Sequence, residues 1–515
     1  MEFLSLPDDY DKESTSRGLA PLNYIPQAQK QEVIAIDLSK DGNILLYGSP
    51  GTGKTTFLQT AAMDLARKQS PENLTMYLLD FGTNGLAPLT QLPHVADSLL
   101  LDQTEKIQKF IRIINRELDR RKKLLSEHGV GTIALYREVT GKQEPTMVIL
   151  MDSYESMKDE PYETDLFKLF MRISREGLSI GVHLIITASR QNNLRAQLYS
   201  NFKHQLTLPQ NDISEVRGIV GATPLAATME DIKGRALMKR DEVDVVQFAL
   251  PVAGDNDIQI INNLRDQVQS LKEMWTGQTP AGIPMVPDEL TIQNFMSMPT
   301  TRKVIEDHQL PVGLELEEVE TIGLPMKKLK HLMLLSDKDS SLSLVTKHMI
   351  RTVVETVSGH KVTILDPTDE YKTFVASVNN YVPSTSDFKS VIEQLKEQVH
   401  YARQNGGDFE HYIFITDMGQ FVSESGVETN DIALLMEEGL KVGLHFVFSM
   451  QKNFISAYND TAKYLKSQLD TALIAMKMSD QTIFTRTSIG REEALPEDQV
   501  YLHYQASQTK LKITK

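Results

Sequence analysis

The sequence predicts an α/β protein of two tandem P-loop modules, the second with a degenerate nucleotide site. Two observations predict this class. A phosphate-loop motif lies between an apolar strand and a helix in NILLYGSPGTGKTTFLQ, residues 43–59. Several elements of the first half of the chain also return, in the same order, in the second half. At about 100–250 residues per α/β domain, the 515 residues suffice for both modules.

The module boundaries are predicted from composition. The first module is expected at 1–275 and the second at 289–515, with a linker at 276–288 between them. The linker reads TGQTPAGIPMVPD and carries three prolines and two glycines, the residues that most often mark turns and loops. Glu289–Met298 is predicted to open the second module as a short helix.

The phosphate loop is the first element. Its glycines let backbone N–H groups curl around phosphate oxygens, and the helix that follows adds the positive end of its dipole. Lys54 is expected to reach the β- and γ-phosphates of ATP, and the Thr55 hydroxyl to coordinate Mg²⁺. Because a strand precedes the motif and a helix follows it, a chance match in a turn is the weaker interpretation. The predicted nucleotide-binding residues are Gly48, Ser49, Pro50, Gly51, Thr52, Gly53, Lys54, Thr55 and Thr56.

The second element is an acid at the end of a buried strand. MVILMD ends at Asp152, the expected Mg²⁺-side carboxylate, although an aspartate capping the next turn is the alternative. Vigorous NTPases of this kind often carry a glutamate directly after that aspartate. Here Ser153 stands there, and the nearest carboxylate is Glu155. Nucleotide binding is therefore predicted more firmly than hydrolysis.

Two further elements lie around this strand. VHLIITA, residues 182–188, predicts a strand that ends beside Ser189. Strand carboxyl ends face the ligand in such sheets, so Ser189 is a candidate γ-phosphate sensor, with a plain strand-ending serine as the alternative. The apolar spacing of residues 105–128 predicts a helix, and its basic run RELDRRKK is interpreted as a solvated face. The predicted catalytic residues are Lys54, Asp152 and Ser189, and the predicted metal ligands are Thr55 and Asp152.

The second module repeats these elements without the phosphate loop. GLSIGVH at 177 returns as GLKVGLH at 439, the strand ending at Asp80 returns at Asp366, and the strand ending at Asp152 is matched to Asp417. The residues matched to the loop read SDKDSSLS, 336–343, with Leu342 in the place of the lysine. Leucine cannot neutralise phosphate, and two aspartates in this segment would repel it. The second module is therefore predicted not to bind ATP in the usual way.

Composition narrows the compartment and the partners. The chain has no cysteine, no apolar run of the ~18 residues that a membrane helix needs, and no signal-peptide pattern. These features favour a reducing, cytosolic compartment. The net charge of −15 argues against nucleic acid as the main partner, because phosphate binding depends on lysine and arginine.

The motifs resemble those of the FtsK/SpoIIIE-like motor ATPases, and more closely the tandem ATPase region of the EssC/EccC family of bacterial type VII secretion. The matching blocks are DGNILLYGSPGTGKTTFLQ (41–59), YLLDFG (77–82), LPHV (92–95), GVHLIITASR (181–190), GRALMK (234–239), PVGLELEEV (311–319) and GLHFVF (443–448). The resemblance implies two RecA-like modules of the FtsK/SpoIIIE type, with ATP and Mg²⁺ bound in the first.

The resemblance also implies a cellular setting. The chain would be part of a larger protein whose transmembrane and upstream ATPase parts lie outside these residues. It would act at the cytoplasmic face of the cell membrane as a homo-oligomer, usually a hexamer. The implied partners are secreted WXG-type helical-hairpin proteins and other subunits of the secretion machinery. Because C-terminal modules of this family bind secretion signals, the second module is assigned to substrate recognition.

Three residues depart from the family pattern. Ser153 replaces the catalytic glutamate, and Ser189 replaces a glutamine that the second module keeps at Gln451. Leu178 replaces the arginine of a G-R-S-x-G block, so an arginine that completes a neighbouring subunit's site is not identified. The remaining candidates, each more often a surface ion-pairing residue, are Arg172, Arg175 and Arg235.

Three functions fit these observations. The leading hypothesis is an ATP-binding motor or gating portion of a type VII secretion system, with weak or regulated hydrolysis. The alternative is an FtsK-like DNA translocase, which the acidic charge and the degenerate second module argue against. A third is a scaffold that binds nucleotide only for stability, since a ligand bound by the native state alone stabilises it without catalysis.

Overall fold

The computed structural model of the chain describes residues 22–25, 30–33, 36–240, 242–325, 330–356, 360–384, 386–406, 410–485 and 492–515. The chain divides into two compact units, Met1–Ile283 and Pro284–Lys515. The assignment of the three ranges 1–275, 276–288 and 289–515 to an ATPase module, a linker and a recognition module stays a prediction. Within the described ranges, every helix is too short or too polar to span a bilayer.

The first unit is a ten-stranded mixed sheet with helices packed on it. Its strands are β1 (Leu22–Ile25), β2 (Lys30–Val33), β3 (Ile44–Tyr47), β4 (Leu74–Asp80), β5 (Val95–Leu100), β6 (Thr146–Asp152), β7 (Val182–Ala188), β8 (His204–Thr207), β9 (Arg235–Lys239) and β10 (Val243–Gln247). Its helices are α1 (Leu38–Asp41), α2 (Lys54–Lys68), α3 (Thr104–Glu127), α4 (Ile133–Thr140), α5 (Glu163–Ile180), α6 (Ala196–Tyr199), α7 (Ile213–Val220) and α8 (Asp257–Met274).

The second unit is also a ten-stranded mixed sheet. Its strands are β11 (Gln309–Glu315), β12 (Thr321–Pro325), β13 (Leu332–Ser336), β14 (Lys361–Asp366), β15 (Asn380–Pro383), β16 (His411–Ile415), β17 (Leu444–Gln451), β18 (Ala472–Ile474), β19 (Gln499–Tyr504) and β20 (Ser507–Lys512). Its helices are α9 (Ile292–Ser297), α10 (Pro299–Glu306), α11 (Asp339–Thr356), α12 (Phe388–Asn405), α13 (Met418–Glu424), α14 (Thr429–Leu440), α15 (Lys452–Ser456) and α16 (Asp460–Gln468).

The two sheets have the same topology. The first has the order β2-β1-β10-β9-β8-β3-β7-β6-β4-β5, and the second repeats it strand for strand as β12-β11-β20-β19-β18-β13-β17-β16-β14-β15. In each, six strands from β8 to β5, or from β18 to β15, run parallel, and the remaining four are antiparallel. The duplicated α/β fold predicted from the repeated motifs is confirmed.

Fully buried parallel strands explain why the sequence reads as short apolar runs. Every residue of β3, β4 and β7 is buried, because helices cover both faces of such a sheet. The apolar faces of α2 and α8 pack on one side of β3 and β4. In the second unit the apolar residues Val345, Met349, Ile350 and Val353 of α11 pack in the core.

The basic run on α3 is only partly a solvated face. The side chains of Arg120 and Lys123 are exposed, but Arg121 is buried, with 1% of its surface exposed. Its guanidinium donates to the carbonyls of Ile180 at 2.9 Å and Pro145 at 2.8 Å. The interpretation of this run as a solvated face is therefore wrong for Arg121. This buried side chain instead caps the C-terminal end of α5.

Candidate nucleotide site

The phosphate loop joins the carboxyl end of β3 to the first turn of α2. Gly51 and Gly53 have φ of 81° and 111°, values that glycine adopts without the steric cost that a Cβ would add. Gly53 also lies against the backbone of Gly234, since a Cβ on it would be 3.3 Å from the Gly234 nitrogen. The Gly234 N–H donates to the Thr52 carbonyl at 3.0 Å. Gly234, the residue directly before β9, thus holds the phosphate loop in place.

The other predicted binding residues take the places that the motif requires. Gly48 is buried at the end of β3, and its N–H donates to the Ala188 carbonyl at 3.1 Å. Thr52 is buried, and its hydroxyl donates to the Ser49 carbonyl at 2.8 Å. Pro50 and Gly51 are exposed at the loop tip, and Thr56 lies in the first turn of α2. Pro50 has no N–H, so the Gly51 N–H is the donor that this exposed tip offers to a ligand's oxygens.

Lys54 is folded over its own loop. Its ammonium group donates to the carbonyls of Gly48 at 2.7 Å and Ser49 at 3.1 Å. Burial lowers the pKa of Lys54, and the carboxylates of Glu155 and Asp152 oppose that shift, Glu155 the more strongly of the two. A bound phosphate group would replace these carbonyls as the hydrogen-bond acceptor of Lys54, because charged acceptors make the stronger hydrogen bonds.

Thr55 and Asp152 meet at the centre of the site. The Thr55 hydroxyl donates to Asp152 Oδ2 at 2.6 Å, and the carboxylate is 2% exposed. Its other oxygen, Oδ1, accepts from the Thr187 hydroxyl of β7, also at 2.6 Å. A hydroxyl beside a carboxylate is the oxygen donor set that Mg²⁺ takes together with nucleotide phosphates. The residues present therefore fit this ion.

Two glycines outside the predicted site residues, Gly82 and Gly85, lie against Asp152 and Thr55. A Cβ on Gly82 would lie 3.2 Å from Asp152 Oδ2, and a Cβ on Gly85 would lie 2.3 Å from Thr55 Cγ2. The Gln59 side chain of α2 donates to the Gly85 carbonyl at 2.7 Å and holds the segment in place. The signal for these residues was the repeated glycine in FGTNG, directly after β4.

Ser189 lies at this edge, but its hydroxyl is already engaged. The Asn193 side chain donates to Ser189 Oγ at 2.7 Å. The Ser189 backbone N–H donates to both carboxylate oxygens of Glu155, each at 3.2 Å. The side chain's role as a γ-phosphate sensor stays a prediction. The backbone of Ser189 brings Glu155, two residues beyond the expected position, to the end of β7.

Two of the three arginine candidates are paired within the first unit. Arg172 bonds Asp119 and Glu176, and Arg235 bonds Glu230. These contacts are the surface ion pairs in which such arginines most often take part. Whether either arginine completes a neighbouring subunit's site stays a prediction.

The register of the second sheet corrects one sequence match. Counted along the paired strands from the shared G-x-H motif, Thr416 takes the place of Asp152. The match of Asp152 with Asp417 is therefore wrong by one residue. Asp417 instead caps α13, where its side chain accepts from the Gln420 N–H at 2.9 Å. The second unit thus has no carboxylate at the place of Asp152.

The phosphate loop of the second unit is replaced by helix. Here α11 begins at Asp339, whereas α2 begins at Lys54, which corresponds to Leu342 in the register of β13 with β17. The positions of the left-handed glycines are therefore helical. Leu342 is 5% exposed and packs in the core. The segment offers no backbone cradle for phosphate, and it has no cation at the position of Lys54.

Neutral groups donate hydrogen bonds to Asp366, the buried aspartate at the end of β14 in the second unit. Asp366, the counterpart of Asp80, is fully buried. The hydroxyls of Tyr381 and Thr416 donate to it at 2.7 and 2.9 Å, and the Tyr371 N–H donates at 2.8 Å. Neutral donors around a buried carboxylate stabilise it where no cation lies beside it. The degenerate site is thus closed by its own side chains.

The chain is similar to known proteins in sequence. Residues 8–235 match the FtsK/SpoIIIE family. The type VII secretion system protein EssC from Staphylococcus aureus (strain MSSA476) is 32% identical over 492 residues, 93% of this chain and 32% of that protein. The chain thus spans about a third of the length of the curated relatives it matches.

Solved structures share the whole two-unit fold. EssC (ATPases 2 and 3) from Geobacillus thermodenitrificans matches with a TM-score of 0.88 at 25% identity, over 100% of both chains. EccC (ATPases 2 and 3) from Thermomonospora curvata, in complex with a signal sequence peptide, matches with a TM-score of 0.57 at 19% identity, over 99% of this chain and 94% of that one. The second likeness concerns the fold alone. As its motifs predict, the chain contains an FtsK/SpoIIIE domain, is homologous to EssC of type VII secretion systems, and has the tandem ATPase fold of the EssC and EccC structures.

Proposed function

We propose that the first unit binds Mg-ATP and hydrolyses it slowly or under regulation, as part of a type VII protein secretion machinery. The observation that carries the proposal is the convergence of Lys54, Thr55 and Asp152 at the carboxyl ends of β3 and β6. These residue types are the ones that phosphoryl-transfer sites use for phosphate, metal and charge. Homology to EssC supports the secretion setting.

Each residue has a distinct task in this proposal. The N–H groups of the loop tip and the ammonium group of Lys54 bind the phosphate oxygens. Thr55 and Asp152 hold Mg²⁺, which when bound neutralises charge on the β- and γ-phosphates. Thr187 keeps the Asp152 carboxylate oriented through its 2.6 Å hydrogen bond, in the way that outer partners orient metal ligands. Gly82 and Gly85 have no side chains and so leave space for Asp152 and Thr55.

We assign the second unit to recognition of secreted proteins. Its support is a complete sheet of the same topology in which helix replaces the phosphate loop. A unit that keeps the fold without the phosphate chemistry is free to serve binding. The proposed partners are WXG-type helical-hairpin proteins and other secretion-machinery subunits, at the cytoplasmic face of the cell membrane. The full-length protein would act as a homo-oligomer, a hexamer in this family.

The test follows nucleotide and phosphate together. The purified chain is mixed with limiting labelled Mg-ATP, and retained nucleotide and released phosphate are measured, with Lys54→Ala as the control. We expect tight retention and slow, Lys54-dependent release of phosphate. Undiminished ATP retention by Lys54→Ala would overturn the site assignment. Retention without any release of phosphate would leave a gating or scaffold role and reject the ATPase.

A further inference from the structure

The turn after β6 directs a carboxylate back toward the phosphate loop. Ser153 lies in the left-handed region, with φ and ψ of 62°, a conformation that costs a non-glycine residue free energy and needs support from its surroundings. Its N–H donates to the Thr187 hydroxyl at 3.0 Å, which gives that support. The turn that follows, Tyr154–Met157, buries its two end residues. Glu155, between them, points to the site edge.

The carboxylate of Glu155 is held at the strand end beside the loop. Both of its oxygens accept from the Ser189 N–H at 3.2 Å. The carbonyl of Ala188, the residue before Ser189, accepts from the N–H of Gly48, the first residue of the phosphate loop. Glu155 is therefore bonded to Ser189, the residue next to Ala188, and Ala188 anchors the phosphate loop. Its effect on the pKa of Lys54 is larger than that of Asp152.

The two aspartates of the site, Asp80 and Asp152, are buried. Asp152 accepts a threonine hydroxyl on each oxygen. Asp80 Oδ2 accepts from the Leu86 N–H at 2.8 Å, and the side chain is 3% exposed, so a water has little access to it. Glu155 is only half-buried and accepts from a single backbone donor. It keeps lone pairs for a water molecule.

We propose that Glu155 is the catalytic carboxylate that orients and deprotonates the water attacking the γ-phosphate, in place of the missing glutamate at Ser153. The inference rests on the proposed ATP hydrolysis. The water oxygen bonds to the γ-phosphorus as the bond from that phosphorus to the β–γ bridging oxygen breaks. The bridging oxygen keeps the electron pair and leaves on ADP, and one water proton passes to Glu155. Ser189 acts through its backbone as the positioning residue for this carboxylate.

The first test compares Glu155→Gln with Asp159→Asn. Both changes remove a negative charge from the segment between β6 and α5, but Asp159 is exposed, and its φ of 67° suits asparagine. With enzyme in excess over labelled Mg-ATP, we expect Glu155→Gln to retain ATP within about threefold and to release phosphate at least ~10²-fold more slowly, the usual contribution of a general base. Asp159→Asn should match the unmodified chain. Equal phosphate release by Glu155→Gln would overturn the inference.

A second readout covers the case of very slow turnover. Retention of ADP in the presence of aluminium fluoride reports a site that holds the attacking water, because this complex resembles the transition state. We expect the unmodified chain and Asp159→Asn to retain it, and Glu155→Gln to lose at least about tenfold in affinity while it keeps ATP. A chain that retains ATP but neither releases phosphate nor retains this complex overturns the inference about Glu155. Loss of ATP binding in the unmodified chain overturns the proposed function instead.

Discussion

The Thr187 hydroxyl donates a 2.6 Å hydrogen bond to Asp152 Oδ1 inside the sheet of the first unit. The two residues come from adjacent parallel strands, β7 and β6. Thr187 is fully buried, and the same hydroxyl accepts from the Ser153 N–H at 3.0 Å. One threonine therefore sets both the direction of the predicted metal ligand and the turn that carries Glu155.

Thr187→Val should weaken the site and the fold together. Valine has nearly the same shape but leaves one buried oxygen of Asp152 and the Ser153 N–H without this partner, at a cost of about 1–3 kcal/mol. We expect lower stability in denaturant and weaker Mg-dependent ATP retention. Thr363→Val is the matched control, since that buried threonine of β14 bonds His411 in the second unit. If Thr363→Val reduces ATP retention equally, the effect of Thr187 is not local.

Gly85→Ala should lower ATP affinity through Thr55. The added methyl would lie 2.3 Å from Thr55 Cγ2, so either the loop or the threonine must move. Overpacking of this kind costs about 1–3 kcal/mol, which lowers the affinity by roughly five- to 150-fold where the cost falls on the bound state. Gly131→Ala is the control, because a Cβ there meets open space. Unchanged ATP affinity in Gly85→Ala would contradict the close approach of this segment.

The sequence predicted the phosphate loop because that chemistry is local. The loop residues from Gly48 to Thr56 are contiguous, and the hydrogen bonds of Lys54 stay within the loop. The duplication was also predictable, since buried parallel strands keep recognisable apolar runs. The sheet order repeats strand for strand, as those runs suggested.

The contacts that complete the site depend on turns and on strand register. Thr187 lies in an apolar strand, where threonine is an ordinary β-branched residue, so its bond to Asp152 was not foreseen. The contact of Glu155 with the end of β7 was not predicted, because the left-handed turn at Ser153 cannot be inferred from spacing. Asp417 was matched by residue identity, but the pairing of β16 with β17 puts Thr416 in that place.

Leu342→Lys should not restore nucleotide binding to the second unit. The lysine would stand at the position of Lys54, but the segment before it is helical from Asp339 onward and offers no loop of free N–H groups. Leu342 is also 5% exposed, so a charge there is costly to bury. We expect no ATP retention when Leu342→Lys is combined with Lys54→Ala, and lower stability in denaturant. ATP retained by the double variant would reject the helical replacement of the loop.

His348 should stay neutral well below the ordinary titration range of histidine. It is fully buried, with Nε2 3.1 Å from the Val312 carbonyl and Nδ1 accepting from the Thr514 N–H at 3.2 Å. Burial lowers the pKa of His348 to about 4, against the opposing effect of that carbonyl, and Arg351 adds to the lowering. Because Nδ1 accepts a hydrogen bond from the Thr514 N–H, a second proton on this nitrogen of His348 would break that bond.

The sign of the resulting pH dependence follows from proton uptake. Between pH ~4 and ~6.5 the unfolded chain binds a proton at this residue that the folded chain does not, so the free energy of unfolding rises with pH by up to about 1.4 kcal/mol per unit. The contribution is complete above the unfolded pKa and is lost as the pH falls through this window. We expect the histidine Cε1 signal that His348→Gln removes to titrate near pH 4, where the structure puts its pKa at about 4. A titration near pH 6.5, the ordinary histidine value, would show that His348 is not held neutral by the fold.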